Sequence, residues 1–421
     1  MKIIKSKYFY LYILAIIALP MIVLNLYINF WQAIIEISGG RIQELVNDFG
    51  VYTRTIKFFL QDSNKIYYVA PGMPPNWFIY PPLSVLIFLP FGIIPEPWNL
   101  ILWRLLNITL YCFSIKILIN IFTSKYNILL NKKERISIYI IFLGLASFFL
   151  NINHGQVNII LLFFAVMALN YLLKNKTIIS GLFFSLGFWL KLYSAIIFPI
   201  YFKNKQTVIK AIIAMILFIV ILPLVLSPII PLSEYSYYFF NLTPYIINTP
   251  LDMSPCNQSI MSFLMHLHLP AKTFGQYHLF YVLPWIKTVN LIGLIISVAT
   301  ISLIYLKNKE QFLIWAFSSL LILAPVFSIT GWESVYILAV PIIMQTLLLI
   351  RDEKVGIKYL FIFLIVMMYI PKPPSHLIAQ YTSIIPLTIQ MLFCFRFMLV
   401  SIFLIIYNYF KIKKAGIFDG I

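Results

Sequence analysis

"YFYLYILAIIALPMIVLNLYINF", residues 8–30, decides the solvent in which this chain folds. The run holds no charged residue. As a helix it extends roughly 35 Å, enough to cross a hydrocarbon core of about 30 Å. The preceding "MKIIKSK" is short and basic. The apolar run is nevertheless long for a signal-peptide core and lacks a small-residue cleavage site, so it reads as an uncleaved first span.

The rest of the chain repeats the pattern. Hydrophobic residues make up 62% of 421 residues and charged residues 10%, against roughly 25% charged in an ordinary soluble domain. In lipid only helices or closed barrels satisfy the backbone. Long apolar runs without alternation select helices. Cutting at polar breaks predicts about twelve spans: 8–30, 97–122, 136–152, 156–173, 177–190, 191–203, 208–230, 279–306, 311–329, 333–350, 357–371 and 384–410. The expected fold is therefore an all-α polytopic membrane protein forming a single domain over 1–421.

Charge orients the bundle. The segments on the N-terminal side, including "KYNILLNKKER", "KNKQTVIK", "RDEKVGIK" and "KIKK", hold about 20 of the 31 Lys and Arg with about 5 acids. The opposite side holds about 7 cations and 8 acids. By the positive-inside rule both termini are cytoplasmic. The formal charge of +18 is then topology signal and attraction to anionic headgroups. Cations dispersed over many short turns do not suit a nucleic-acid partner. Inner loops are terse, whereas two outer segments, 31–96 and 231–278, are long. Since positioned loops carry chemistry, the site is expected on the outer face.

Four cations within the predicted spans stand out: Arg104, Lys116, Lys191 and Arg396. Lys116 reads as snorkelling to the inner surface. Arg104 and Lys191 lie near outer ends, where either snorkelling or an anionic ligand such as a lipid phosphate accounts for them. Arg396 is the deepest and has no partner visible in sequence. Glu333 sits at an outer rim. The near absence of intramembrane carboxylates disfavours proton-coupled transport, which commonly uses them as relays.

The three cysteines, Cys112, Cys256 and Cys394, show no metal or redox spacing. His266 and His268 in "MHLHLP" lack nearby Cys or carboxylate partners, and no Asp-x-Asp cluster occurs. No metal site or cofactor is expected. Trp77, Trp98 and Trp332 lie at outer edges, where belt aromatics are common.

Several motifs follow one another on the predicted outer side: "DFGVY" (48–52), "YPPLSVLIFLPFGIIP" (80–95), "LWRLLN" (102–107), "NHGQVN" (153–158), "GLFFSLGFWLKLYSAIIFP" (181–199), "NQS" (257–259) and "APVFSITGW" (324–332). Together, in this order, they resemble glycosyltransferase family 87, a branch of the GT-C superfamily of polytopic enzymes that use polyprenyl-phosphate sugars. One departure stands out: the family often has histidine after the late tryptophan, and here the run is "WESVYIL".

The resemblance implies a GT-C-type bundle that transfers a hexose, mannose being the best-known case. The donor would be a polyprenyl-phosphate sugar and the acceptor a lipid or glycan on the outer face of a bacterial or archaeal cytoplasmic membrane. Such a transfer needs a base for the acceptor hydroxyl and fixed donors for the departing phosphate. Asp48 is implied as that base in a single-displacement, inverting reaction; its bland alternative is an N-cap for "FGVYTRTIKFFL". Glu36, Glu44 and Asp62 are weaker rivals. Lys191, with Arg104 or Arg54, is the candidate phosphate contact; Arg54 reads equally as a headgroup anchor. Tyr52, Tyr80, His154, Gln156, Asn158, Asn257, Gln258 and Trp332 complete the substrate-binding candidates. For the "NHGQVN" residues the alternative is a capped hairpin turn, for Tyr80 a shaped helix entry, and for "NQS" an ordering of its own loop or a glycosylation sequon. The competing function is a lipid-linked sugar flippase or other polytopic transporter, which would share the span count and cationic cavity.

Overall fold

The computed structural model describes residues 7–37, 47–67, 78–248, 251–252, 257–268, 279–328, 331–370 and 395–415. Glu44, Trp77, Cys256, Cys394 and the first part of the 384–410 span lie outside them, as does the side chain of Glu36. The described architecture is helical. Its longer elements are α1 Phe9–Ile37, α2 Asn47–Gln61, α3 Val85–Ile93, α4 Trp98–Lys125, α5 Lys132–Leu143, α6 Ala146–His154, α7 Asn158–Leu173, α8 Thr177–Leu190, α9 Lys205–Met215, α10 Ile260–His268, α11 Pro284–Lys307, α12 Lys309–Phe327, α13 Val340–Leu349, α14 Val355–Met367 and α15 Arg396–Ala415. Two-residue strands at Leu251–Asp252 and Leu279–Phe280 pair antiparallel.

Among the described residues five helical segments are long and apolar enough to cross a membrane, and the bent pair α5–α6 makes a sixth. Shorter apolar helices accompany them, including α7, α8, α14 and a 3-10 helix at Leu192–Tyr201. Among the described residues the segments cut from the sequence overlap these helices, alone or in consecutive runs; residues 384–394 of the last segment lie outside the described residues. Burial separates their roles. Residues 333–350 are buried throughout, whereas only 17% of the most apolar window is buried in each of Lys205–Val225 and Pro284–Lys307. Ile209, Ile213, Leu217, Val220 and Leu224 on the first, and Ile292, Ile295, Ile296 and Leu303 on the second, are exposed. In water such surface would associate; against acyl chains it needs no cover. The protein is an integral membrane protein with Glu333–Asp352 at its centre.

Local chemistry fixes the breaks. Asn131 and Glu134 form a reciprocal capping box that starts α5, satisfying two otherwise orphaned amides. The Leu143–Ala146 junction bends the α5–α6 pair by 55°. Helix α6 ends at Gly155, whose φ of 64° and ψ of 30° are left-handed. Glycine adopts that conformation without a Cβ penalty, and it is the usual way a helix stops within one residue.

The two ends of the bundle differ in charge. Lys7 pairs with Asp352 at 3.2 Å, and Lys358 donates to the carbonyls of Lys7 and Arg351 at 3.2 and 2.5 Å. Lys411 pairs with Glu353. These contacts tie the start of α1, the 351–354 turn and the end of α15 into one basic face. Tyr126, just past α4, receives a hydrogen bond from Gln345 Nε2 at 2.5 Å near that same end. Trp103 lies 23 residues earlier, about 35 Å up the helix. There its indole donates to the Gly155 carbonyl at 3.0 Å. The candidate motifs gather at this second end.

Candidate active site

Helix α2 begins at Asn47, so Asp48 lies in its first turn. That replaces the N-cap alternative: the residue is inside the helix, where a negative charge is favoured by the dipole. Aromatic packing holds the turn against the bundle. Tyr52 stacks on Phe88 at 4.1 Å between centroids, and Phe49 meets Trp103 at 5.6 Å. Trp103 in turn fixes Gly155, so α2, α3, α4 and the α6–α7 turn are registered to one another.

That turn brings polar groups to the carboxylate. Gln156 Nε2 donates to Asp48 Oδ2 in a short hydrogen bond. Asn158 Nδ2 reaches Gln156 Oε1 at 3.4 Å. Lys191 Nζ donates to Asn158 Oδ1 at 2.8 Å, and Tyr193 OH donates to the same oxygen at 3.2 Å. The result is a chain running Lys191–Asn158–Gln156–Asp48. Both amides point their N–H groups toward the carboxylate and their oxygens toward the ammonium. Two opposite charges are thus linked by aligned dipoles and held apart rather than paired, an arrangement in which each bond polarises the next.

Lys191 owes its position to a backbone break. It separates α8 from the 3-10 helix with φ −152° and ψ 121°, an extended residue between two helical ones. Its ammonium lies 5.5 Å from the ring centroids of both Tyr80 and Tyr193, a distance at which the ring quadrupole attracts a cation. Tyr80 OH and Tyr52 OH share a 2.9 Å hydrogen bond. Burial pushes the Asp48 carboxyl above its usual range; the charges of Lys191 and His154 and the Gln156 bond pull it back. His154 itself is exposed.

Seven sequence candidates therefore lie together: Asp48, Tyr52, Tyr80, His154, Gln156, Asn158 and Lys191. Arg54, almost two turns beyond Asp48 on α2, and Arg104, beside Trp103 on α4, are both half-buried. Among the described residues neither hydrogen-bonds to the chain of four. Trp103 and Tyr193 escaped notice in the sequence, the first as the lock on the Gly155 turn and the second as a co-ligand of Asn158. Each stands beside a quoted charge, in "WR" and "KLY", but nothing separates them there from belt aromatics.

Asn257, Gln258 and Trp332 form a different cluster. Asn257 bridges Trp332 in antiparallel fashion, and its Oδ1 accepts from Gly331 N at 2.9 Å. A Cβ on Gly331 would meet the Pro325 carbonyl at 2.6 Å and Ser259 N at 2.8 Å, so only glycine lets these strands approach. Gln258 Nε2 donates to Glu333 at 2.8 Å, its Oε1 accepts from Phe397 N at 2.8 Å, and its carbonyl accepts from Tyr336 OH at 2.7 Å. Asn257 and Gln258 are both fully buried. Their polar groups brace the frame behind the site.

The same cluster corrects the reading of Arg396. Its Nη2 lies 3.0 Å from Glu333 Oε1, and it donates to the Met367 and Ile370 carbonyls at 3.0 and 2.7 Å. Both side chains are almost wholly buried, at 2% and 3% exposure. Glu333 is thus the inward counter-ion of Arg396 rather than a rim residue. This frame reaches the site through α6: Asn151 Nδ2 donates to the Ser334 carbonyl at 2.6 Å, one turn before Gly155. His266 Nδ1 bonds the Ser262 carbonyl at 2.8 Å within α10.

The fold and site define a helical integral membrane protein with a carboxylate and an ammonium joined through two amides at one end of its bundle. The family model of glycosyltransferase family 87 matches residues 78–370. The chain belongs to that family and is a membrane glycosyltransferase. Lys191, Gln156, Asn158, Tyr80 and the 257–258 and 332–333 pairs lie within the matched stretch; Asp48 precedes it. No curated protein matches the sequence significantly.

Proposed function

We propose that the protein transfers a hexose, with mannose the first candidate, from a polyprenyl-phosphate sugar to a lipid or glycan acceptor. The observation that carries this reading is the Lys191–Asn158–Gln156–Asp48 chain. It supplies the two charges that the reaction needs and keeps them from neutralising each other. Asp48 takes the proton from the attacking acceptor hydroxyl. Lys191 receives the phosphate oxygen on which charge develops as the sugar C1–O bond breaks; one of its three N–H groups is engaged by Asn158, leaving others for the ligand. Because a polyprenyl phosphate leaves without protonation, one carboxylate suffices, and single displacement inverts the anomeric centre. The exposed apolar faces of α9 and α11 suit a polyprenyl tail and bulk lipid alike.

The orientation follows from charge. The face formed by Lys7, Arg351, Lys358 and Lys411 is placed in the cytoplasm by the positive-inside rule, which puts the site at the outer surface of a twelve-span GT-C-type bundle with both termini inside. The reading needs no metal or cofactor. The test is direct: purified protein in lipid, radiolabelled polyprenyl-phosphate mannose and a lipid extract of the host. A new labelled lipid or glycan with the opposite anomeric configuration is expected. No transfer of label to any acceptor overturns mannosyl transfer, and retention of configuration overturns the single-displacement mechanism.

A further inference from the structure

A cavity lies beside the site. It has a volume of about 990 Å³ and opens between the 3-10 helix Ser63–Lys65 and the Leu232–Tyr237 helix, at the upper end of what small-ligand pockets occupy. It joins the two long segments predicted to face outward, one after α1 and one after α9. Asn64, Ser233, Glu234, Ser236, Tyr237 and Phe240 are among its walls.

Three features define what would fit. The first is aromatic surface. Tyr67, also in the wall, stacks with Tyr237 and Tyr238 at 5.6 and 6.0 Å. Tyr237 and Phe240 remain 42% and 78% exposed. The second is hydrogen-bonding capacity on a short arc: a carboxylate, an amide and hydroxyls, with Ser233 donating to Asn64 at 3.4 Å. The third is charge. No lysine or arginine is among the described residues that line the cavity. Glu234 is the wall's acid, and Asp62 stands close enough to act on it. Burial, with Asp62 behind it, pushes the Glu234 carboxyl up to about 7, so near neutrality it can both donate and accept. Lys65, on the 3-10 helix, is engaged by Asp62 at 3.6 Å, so among the described lining residues a phosphate would meet the Glu234 carboxyl and no cation. A pyranose offers apolar C–H faces for the rings and vicinal hydroxyls for the carboxyl, and it carries no charge to repel.

The cavity also has a defined relation to the Asp48–Lys191 chain. Tyr67 OH donates to the Tyr80 carbonyl at 2.7 Å. The other side of Tyr80 faces Tyr52 and Lys191. Tyr80 therefore links the two regions: its ring and hydroxyl meet Lys191 and Tyr52, and its carbonyl holds Tyr67 in the wall of the cavity. We propose that the Glu234–Tyr237–Phe240 cavity binds a neutral sugar unit of a glycan acceptor, distal to the unit whose hydroxyl reaches Asp48. Its assignment to the acceptor rests on the glycosyl-transfer reading; its affinity for neutral sugar does not.

The test is saturation-transfer NMR with mannotriose and with mannose 6-phosphate, on the full-length protein in lipid nanodiscs free of glycoside detergent. Wild type is expected to bind mannotriose. Tyr237→Ala and Glu234→Ala should weaken it by about tenfold or more, as loss of one ring contact or one charged hydrogen bond implies. Thermal unfolding of each variant checks that it is folded, and Phe240→Ala, on the most exposed ring, provides a further variant with little effect on packing. Mannose 6-phosphate should bind markedly more weakly. Absence of mannotriose binding to wild type, equal binding by folded pocket variants, or preference for the phosphorylated sugar overturns the proposal. Sugar binding that depends on the pocket in a protein that transfers no label would leave this cavity standing as a sugar site while removing the mannosyl-transfer reading and the acceptor assignment that rests on it.

Discussion

Asn158→Ala tests whether the four-residue chain acts as a unit. The side chain accepts from Lys191 at 2.8 Å and from Tyr193 at 3.2 Å, and donates to Gln156 at 3.4 Å. The first is a charge-assisted bond, worth about 1.5–3 kcal/mol; the second is neutral and worth about 1 kcal/mol; the third is long and adds little. Losing them while the fold persists should cost about 2–4 kcal/mol of transition-state stabilisation, roughly 30- to 800-fold in kcat/KM. Because Asn158 aims the lysine that receives phosphate, KM for the donor should also rise. A double-mutant cycle with Lys191→Met separates this from general damage. If Asn158 acts through Lys191, the double variant should be little worse than Lys191→Met alone, with a coupling energy above about 1 kcal/mol. The assay is the initial rate of label transfer from polyprenyl-phosphate sugar at several donor concentrations, with thermal unfolding as a control. Additive effects of the two substitutions, within about 0.5 kcal/mol, would refute the argument that the chain transmits the lysine's position.

Transfer should lose rate on acidification at a pH above the ordinary aspartate range, because burial raises the Asp48 carboxyl and only its ionised form takes a proton. Lys191 lowers that value, so Lys191→Met should move the acid limb of its residual pH–rate profile further up; no movement would disconnect the two charges. Glu333→Gln or Arg396→Met alone should destabilise the protein by about 3–5 kcal/mol, as removing one member of a buried pair does, and Glu333→Gln combined with Arg396→Met should recover part of the loss in a thermal-unfolding or denaturant assay. Gly155→Ala forces a Cβ into a left-handed residue and should cost about 1–2 kcal/mol; measured stability should fall and transfer should fall further, since Gln156 is the next residue.

Hydropathy made the helices legible because lipid demands long apolar runs, and among the described residues the cut segments overlap helices. It did not reveal the 55° bend between α5 and α6, because both arms are apolar and hydropathy carries no direction. The family was legible in the order of its motifs, and residues 78–370 match its model. Within the site, Asp48, Gln156 and Lys191 could be singled out as residue types in suggestive places. Their connection through Asn158 depends on how α2, the α6–α7 turn and the break after α8 pack, and no local pattern encodes that. Arg396 shows the same limit. Its partner Glu333 is 63 residues away in sequence, and nothing local to Arg396 points to it. Asn257 and Gln258 resembled ligand-binding polar residues because sequence does not distinguish a buried amide that braces a bridge from one that faces a cavity.

The central claim is that Asp48 activates the acceptor. The most direct measurement compares wild type with Asp48→Asn, following label transfer and, separately, binding of the polyprenyl-phosphate donor. The isosteric amide can still accept from Gln156 but cannot take a proton. The account predicts donor binding close to wild type and a transfer rate lower by about 10²–10⁴-fold, the range of general-base catalysis. Transfer by Asp48→Asn at the wild-type rate would contradict it.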